Sequence, residues 1–176
     1  MKTKYIAIAL AAPILFVACE NPADKTEAAA VKEAVEKTVS TAEGGTKYAF
    51  TETSTVNFTG SKVTGSHSGG FKKVTGHFTV KDGALVGNDH KVVIDINSLW
   101  SDADKLTDHL KSADFFDAEK FPESTFEATS LAKKSDTSYE VSGNFTLHGV
   151  TKNITFPATV TQSGDAVKIA AKFDIN

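Results

Sequence analysis

The chain has 176 residues, 19 basic and 22 acidic, for a formal net charge of −3, and every basic residue is a lysine. Phosphate binding is driven by clustered Lys and Arg, so this balance argues against nucleic acid or an anionic surface as partner. A single cysteine, Cys19, rules out an internal disulfide.

Lys2 and Lys4 precede an uncharged apolar run from Tyr5 to Val17. A membrane span needs ~20 apolar residues, so the shorter run matches a secretory signal core, and residues 1–18 are expected to be a signal peptide. It ends at Phe16-Val17-Ala18-Cys19, which resembles a bacterial lipobox except for Phe where Leu is usual. Cys19 is therefore expected to carry a lipid anchor. Loss of Lys2 and Lys4 makes the remainder more acidic still. Glu20 stands where the common Gram-negative inner-membrane retention signal has Asp. The expected location is the cell envelope, lipid-anchored at the outer membrane and facing the periplasm or the surface.

Residues 19–46 are rich in Ala, Glu, Lys and Thr, have no aromatic residue, and close with Glu43-Gly44-Gly45. Val31, Val35 and Val39 share a helical stripe within Ala28–Val39, but three valines cannot hold an isolated helix in water. A flexible or partly helical spacer is expected.

From Lys47 onward the period is two, and residues 47–176 suit one domain. Val74, Gly76, Phe78 and Val80 fall on one face, with Thr75, His77, Thr79 and Lys81 on the other. Val92, Ile94 and Ile96 repeat the pattern. Gly65, Gly69 and Gly70 read as bulge or close-packing positions. The exception to alternation is Leu106 to Phe126. There Leu106 and Leu110 stand one turn apart among Asp104, Asp108, His109 and Lys111, which fits a short amphipathic helix. Ser112-Ala113-Asp114 offers a second cap, Phe115-Phe116 places two rings side by side, and Pro122 ends the segment.

Alternation returns at Ser124, Phe126 and Ala128, then at Tyr139, Val141, Gly143, Phe145 and Leu147. Ile154, Phe156, Ala158 and Val160 follow, and then Val167 to Ile175. Turn signals separate these runs at Asp82-Gly83, Asn88-Asp89, Ser135-Asp136 and Gly164-Asp165. The expected fold is all-β, an antiparallel sheet closing on itself as a barrel of about eight strands, with one short helical crossover. A barrel of that size is either filled by side chains or wide enough for one small ligand, and composition does not separate the two.

Three segments carry a family resemblance. His109-Leu110 to Phe126, with Phe115-Phe116-Asp117 and Thr125-Phe126, resembles the central signature of the YceI-like lipid- and polyisoprenoid-binding proteins. Val63 to Gly69 resembles that family's early glycine-histidine-glycine stretch, and Ser142 to Lys152 its late segment. The resemblance implies a lipocalin-like barrel whose lumen takes an isoprenoid chain. The lining it implies takes Phe58, Phe71, Phe78 and Ile94 from the early strands. Leu110, Phe115 and Phe116 come from the helical segment, and Phe126, Phe145 and Phe156 from the late strands. His67 and His109 match family positions and are candidates to meet a ligand head group or to cap the barrel. The family domain normally continues past the strand that ends here at Asn176, so a truncated end is expected. The alternative is that the strand around Tyr48 to Phe58 closes the seam.

Catalytic and metal chemistry find little footing. The five histidines lack ligand spacing and no cysteine assists them. Ser66-His67-Ser68 has no nucleophile-elbow context, and Asp102, Asp104 and Asp108 suit a helix start. The expected function is non-enzymatic, without metal or cofactor: binding, sequestration or transport of a quinone-type isoprenoid lipid, with the membrane reached through the N-terminal anchor. The competing expectation is an envelope interaction module with a fully packed core.

Overall fold

The computed structural model describes residues 26–62 and 65–175. The expected signal peptide, the expected anchor Cys19, and Val63, Thr64 and Asn176 lie outside the described residues. In chain order the strands begin with β1 (Ala30–Glu33), β2 (Thr46–Ala49), β3 (Val56–Lys62) and β4 (Gly65–Phe71). β5 (Val74–Lys81), β6 (Ala84–Leu85), β7 (Lys91–Asp95) and β8 (Leu99–Ser101) follow. After α1 (Asp104–Lys111) come β9 (Glu123–Lys133), β10 (Ser138–Leu147), β11 (Val150–Ser163) and β12 (Ala166–Ala171).

Among the described residues the named strands all pair antiparallel, and one isolated parallel bridge joins Ala28 to Asp174. One ladder of nine strands runs β1-β11-β10-β9-β7-β5-β2, with β12 also on β11 and β6 also on β5. A second ladder of three runs β3-β4-β8. The late strands are long because they alternate over most of their length: Ser124, Phe126 and Ala128 face inward from β9, and Tyr139, Val141 and Gly143 from β10. The outward row is tied by hydroxyl pairs across the β10–β11 ladder, Ser142 with Thr155 (2.7 Å) and Thr146 with Thr151 (2.8 Å). His148 and Gly149, both at positive φ, make the two-residue turn between β10 and β11. The Phe121 ring packs on His148 at 4.7 Å and ties the segment after α1 to that turn.

Gly143 sits where the β9–β10 register shifts, and a Cβ there would run into the Phe126 ring. The strand bends to let that ring in. Gly69 makes a similar close approach to Phe58 and the Trp100 carbonyl, whereas Gly65 is exposed with open space around it. Close packing thus explains Gly69 and Gly70 but not Gly65.

Several expectations are corrected. The all-β antiparallel fold is as expected, but from Thr46 onward the described residues form eleven strands rather than about eight, because the early half is cut into pieces of two to eight residues. The segment expected to be a flexible or helical spacer contains β1, which pairs Ala30 with Thr155 through Glu33 with Lys152. Asn144 then brackets Val35, accepting from its N–H (3.1 Å) and donating to its carbonyl (2.7 Å). Asn88 grips Thr38 and Ser40 in the same way. An open edge of β11 outweighs the weak helical preference of this stretch, and the three valines stay exposed rather than forming a buried stripe. At the other end the last strand stops at Ala171, and Ile175 is exposed. β2 pairs with β5 and β3 with β4, so neither closes a seam against β12.

Candidate functional site

The expected lining residues fall into two buried clusters. In the first, Phe126 and Val141 pack with Val80, Leu85, Ala128, Tyr139, Ile154 and Val160, and Phe78, Phe145 and Phe156 pack against them. Phe126 and Phe156 approach to 5.3 Å between ring centres, and Phe156 stacks on Phe173 at 4.2 Å. These rings meet because β9, β10 and β11 run side by side, with Phe145 opposite Phe126 and Val141 opposite Phe156.

The second cluster is capped by α1. Phe71, Ile94, Ile96, Leu99 and Leu110 form its buried heart, with Phe58 and Phe116 against it. Phe58 lies 6.0 Å from Phe71, and Phe116 lies 6.1 Å from it. The helix has no side-chain cap at Ala103. Thr107 anchors it instead, its hydroxyl accepting from the Ser101 amide at 2.9 Å. Ser112 ends the helix rather than starting a second one: its hydroxyl donates to the His109 carbonyl (2.7 Å). Val92 packs against both clusters, so the apolar interior is continuous from the long strands to the helix.

Three expected site residues stand apart. Phe115 is 49% exposed and meets Phe116 edge-on at 4.7 Å, so the pair does not both bury. His67 is exposed and pairs through Nδ1 with Asp102 (2.8 Å), whose other oxygen accepts from the Ser68 amide. That amide, then His67, holds the Asp102 carboxyl below the usual range. His109 is exposed on α1. Neither histidine borders the clusters because β4 and α1 turn those positions outward.

Sequence reasoning missed His90. Its ring is 1% exposed and faces Phe78 at 5.7 Å. Nδ1 accepts from the Thr79 amide (3.0 Å) and Nε2 donates to the Gly87 carbonyl (3.3 Å). That pattern requires the neutral ring, and burial pushes its pKa down to about 4. Beside it, Asp89 takes Lys47 (2.7 Å) and His77 (3.0 Å), and those hydrogen bonds, Lys47's first, hold its carboxyl at about 2. One signal in the sequence was Asn88-Asp89, read only as a turn.

Two open clefts flank Pro157 on β11. One, of about 310 Å³, lies along Ala158, Thr159, Ala170 and Ala171. The other, of about 280 Å³, is shared by Glu27, Ala28 and Ala30 with Tyr139, Glu140 and Phe156. Phe156 is the one expected lining residue on these walls. Among the described residues, no group of three His, Cys, Asp or Glu side chains is placed to hold a metal ion, and no helix is long and apolar enough to cross a membrane.

Residues 48–176 match the YceI-like domain. The chain belongs to the YceI-like family. It is 38% identical over 96 residues to a UPF0312 protein of Pseudomonas putida strain W619, covering 54% of this chain and 50% of that one. A UPF0312 protein of Vibrio parahaemolyticus is 36% identical over 97 residues, with 55% and 51% covered. The chain thus spans about half the length of the curated relatives it matches. Among solved structures it resembles Burkholderia cenocepacia BcnA, with a TM-score of 0.55, 27% identity, and 59% of this chain and 65% of that chain covered. It also resembles the Campylobacter jejuni YceI protein, with a TM-score of 0.53, 25% identity, and 58% and 64% covered. The fold is the antiparallel, lipocalin-like all-β architecture of these neighbours.

Proposed function

We propose that this YceI-like chain is a non-enzymatic binding protein of the bacterial cell envelope that holds a quinone-type isoprenoid lipid in its apolar interior. The observation that carries the reading is the continuity of the two Phe-rich clusters through Val92 in a member of this family. Each buried CH₂ contributes ~0.8 kcal/mol, so a five-carbon unit contributes roughly 3–4 kcal/mol. Association costs about 4–15 kcal/mol, so several units are needed before binding is useful. A long prenyl tail among Phe126, Phe145, Phe71 and Phe116 meets that need with few polar contacts. Purified chain extracted for lipid mass spectrometry is expected to release a prenyl lipid. Finding none, together with no binding of added quinone, overturns the reading.

A packed-core interaction module is favoured instead by the completeness of burial at Ile96 (1%), Ala128 (0%) and Val160 (2%). Phe145→Asp separates the two: lost ligand with a retained fold supports the lipid site, and plain unfolding supports the packed core. The envelope location is proposed on Cys19 and the segment before it. A Cys19→Ala chain is expected to leave the membrane fraction, and unchanged fractionation refutes the anchor.

A further inference from the structure

Tyr139 opens the inward row of β10 and is 2% exposed, packed in the cluster that holds Val80, Leu85, Val141 and Val160. Among the described residues its hydroxyl is the one buried side-chain polar atom without a hydrogen-bond partner. Other polar groups turned inward are satisfied: the Ser124 hydroxyl donates to the Thr146 carbonyl (2.7 Å), and His90 is bonded at both nitrogens. A buried hydroxyl left unpaired is destabilising, and phenylalanine would fill the same space without that cost. Tyr139 also lines the cleft that Phe156 shares with Glu27 and Ala30. The residue that carries the exception therefore stands at one end of the interior and on the wall of that cleft.

We propose that the Tyr139 hydroxyl donates a hydrogen bond to an oxygen on the head of the bound lipid, a quinone carbonyl, and so sets the direction in which the ligand lies. This inference rests on the lipid-binding reading and adds orientation to it. Leu147, which belongs to the helix-capped cluster, is eight residues further along β10. At about 3.3 Å per residue it stands roughly 25 Å away. The tail then runs past Phe126 and Phe145 toward α1, and the head rests where the N-terminal segment crosses β10 and β11.

The test titrates the full chain by calorimetry with two probes, a short-tailed benzoquinone and the matching prenyl hydrocarbon without a ring. Tyr139→Phe is expected to weaken quinone binding about tenfold, the worth of one hydrogen bond, and to leave hydrocarbon binding unchanged. Equal quinone affinity in wild type and Tyr139→Phe overturns the inference while the lipid-binding reading stands. A parallel loss for both probes also overturns it, since the effect is then packing. Marked destabilisation of free Tyr139→Phe overturns it too, because the hydroxyl then has a partner within the protein. Binding of neither probe to wild type removes the lipid-binding reading and this inference together.

Discussion

The two ends of the interior reach the same burial by different means. The long-strand end is built by β9, β10 and β11, whose register, with the shift at Ser142/Gly143, brings Phe126, Phe145 and Phe156 together. The helix-capped end is assembled from short pieces, with Phe71 from β4, Ile94 from β7, Leu99 from β8 and Leu110 from α1. Its ladders are short, with Phe71 opposite Leu99 and Ile94 opposite Val74 and Ser124, and connections such as Thr107 to Ser101 and Asp95 to Asn97 complete its order. A ladder-built end is stable but hard to open, whereas a piecewise end can admit a ligand by moving a few side chains. That contrast predicts where stability and mobility reside.

The largest expected effect comes from removing a ring at the ladder-built end. Phe126→Ala leaves a hole that the Gly143 bend cannot fill, at a cost of about 3–5 kcal/mol. Phe116→Ala, which removes a half-buried ring at the helix-capped end, is expected to cost no more than about 2 kcal/mol. Urea midpoints of the two variants give the comparison directly. Equal losses would mean that both ends are packed alike and would remove the proposed asymmetry.

Second in size is a pH effect at the loop joining the ladder to the N-terminal segment. The folded pKa of His90, about 4, lies below the ordinary 6.5, so folding favours the neutral ring. The stability this gives is complete above pH 6.5 and is lost as pH falls from 6.5 toward 4. The full loss is about 3 kcal/mol, of which about 2 appears between pH 7 and pH 5. Asp89 and Asp102 are also held low, but from an ordinary 3.8, so they act below this window. Glu127, lowered from 4.5 mainly by Lys91, does the same. Urea melts at pH 7 and pH 5 should therefore differ in the wild type and differ much less in His90→Gln. A wild type indifferent to pH over that range would show that the ring is not held neutral.

These two regions also mark what the residues alone disclose. Alternation in β9 to β11 was legible because one face is buried along the whole length, so Phe126, Val141 and Ile154 declare their side. The helix at Leu106 and Leu110 was legible for the same reason at another period. β1 was not, because Val31 and Val35 sit four apart and mimic a helical stripe, and only the free edge of β11 makes the stretch a strand. His90 was hidden for a related reason: its partner Thr79 is eleven residues away, and a hairpin register decides that they meet. Phe115 shows the limit of an argument from hydrophobicity, since adjacency to Phe116 on a tight turn points one ring outward whatever its preference.

A third, smaller effect tests whether the N-terminal segment opens independently. Asn144→Ala removes both bonds that bracket Val35, each worth about 1 kcal/mol. Amide exchange at Ala30–Val35 is expected to quicken several-fold while Tyr139–Phe145 stays protected. Faster exchange through β10 as well would show that the segment is part of the ladder's cooperative unit.

The smallest expected effect is at His67, and its smallness is informative. His67 was expected to meet a ligand head group or to cap the barrel, and it faces Asp102 at 2.8 Å, so it has the look of a functional pair. Yet both side chains are open to water, at 49% and 42% exposure, where ion pairs are screened and contribute little. Asp102 would also keep its bond from the Ser68 amide, which secures β4 to the start of α1 without the imidazole. His67→Ala is therefore expected to leave the urea midpoint and quinone affinity at wild-type values, while His90→Gln lowers the midpoint at pH 7. A measurable loss of quinone binding in His67→Ala, with the fold intact, would put the ligand's head at the β4 surface. It would move the polar end of the site from Tyr139 to the opposite, helix-capped half of the molecule.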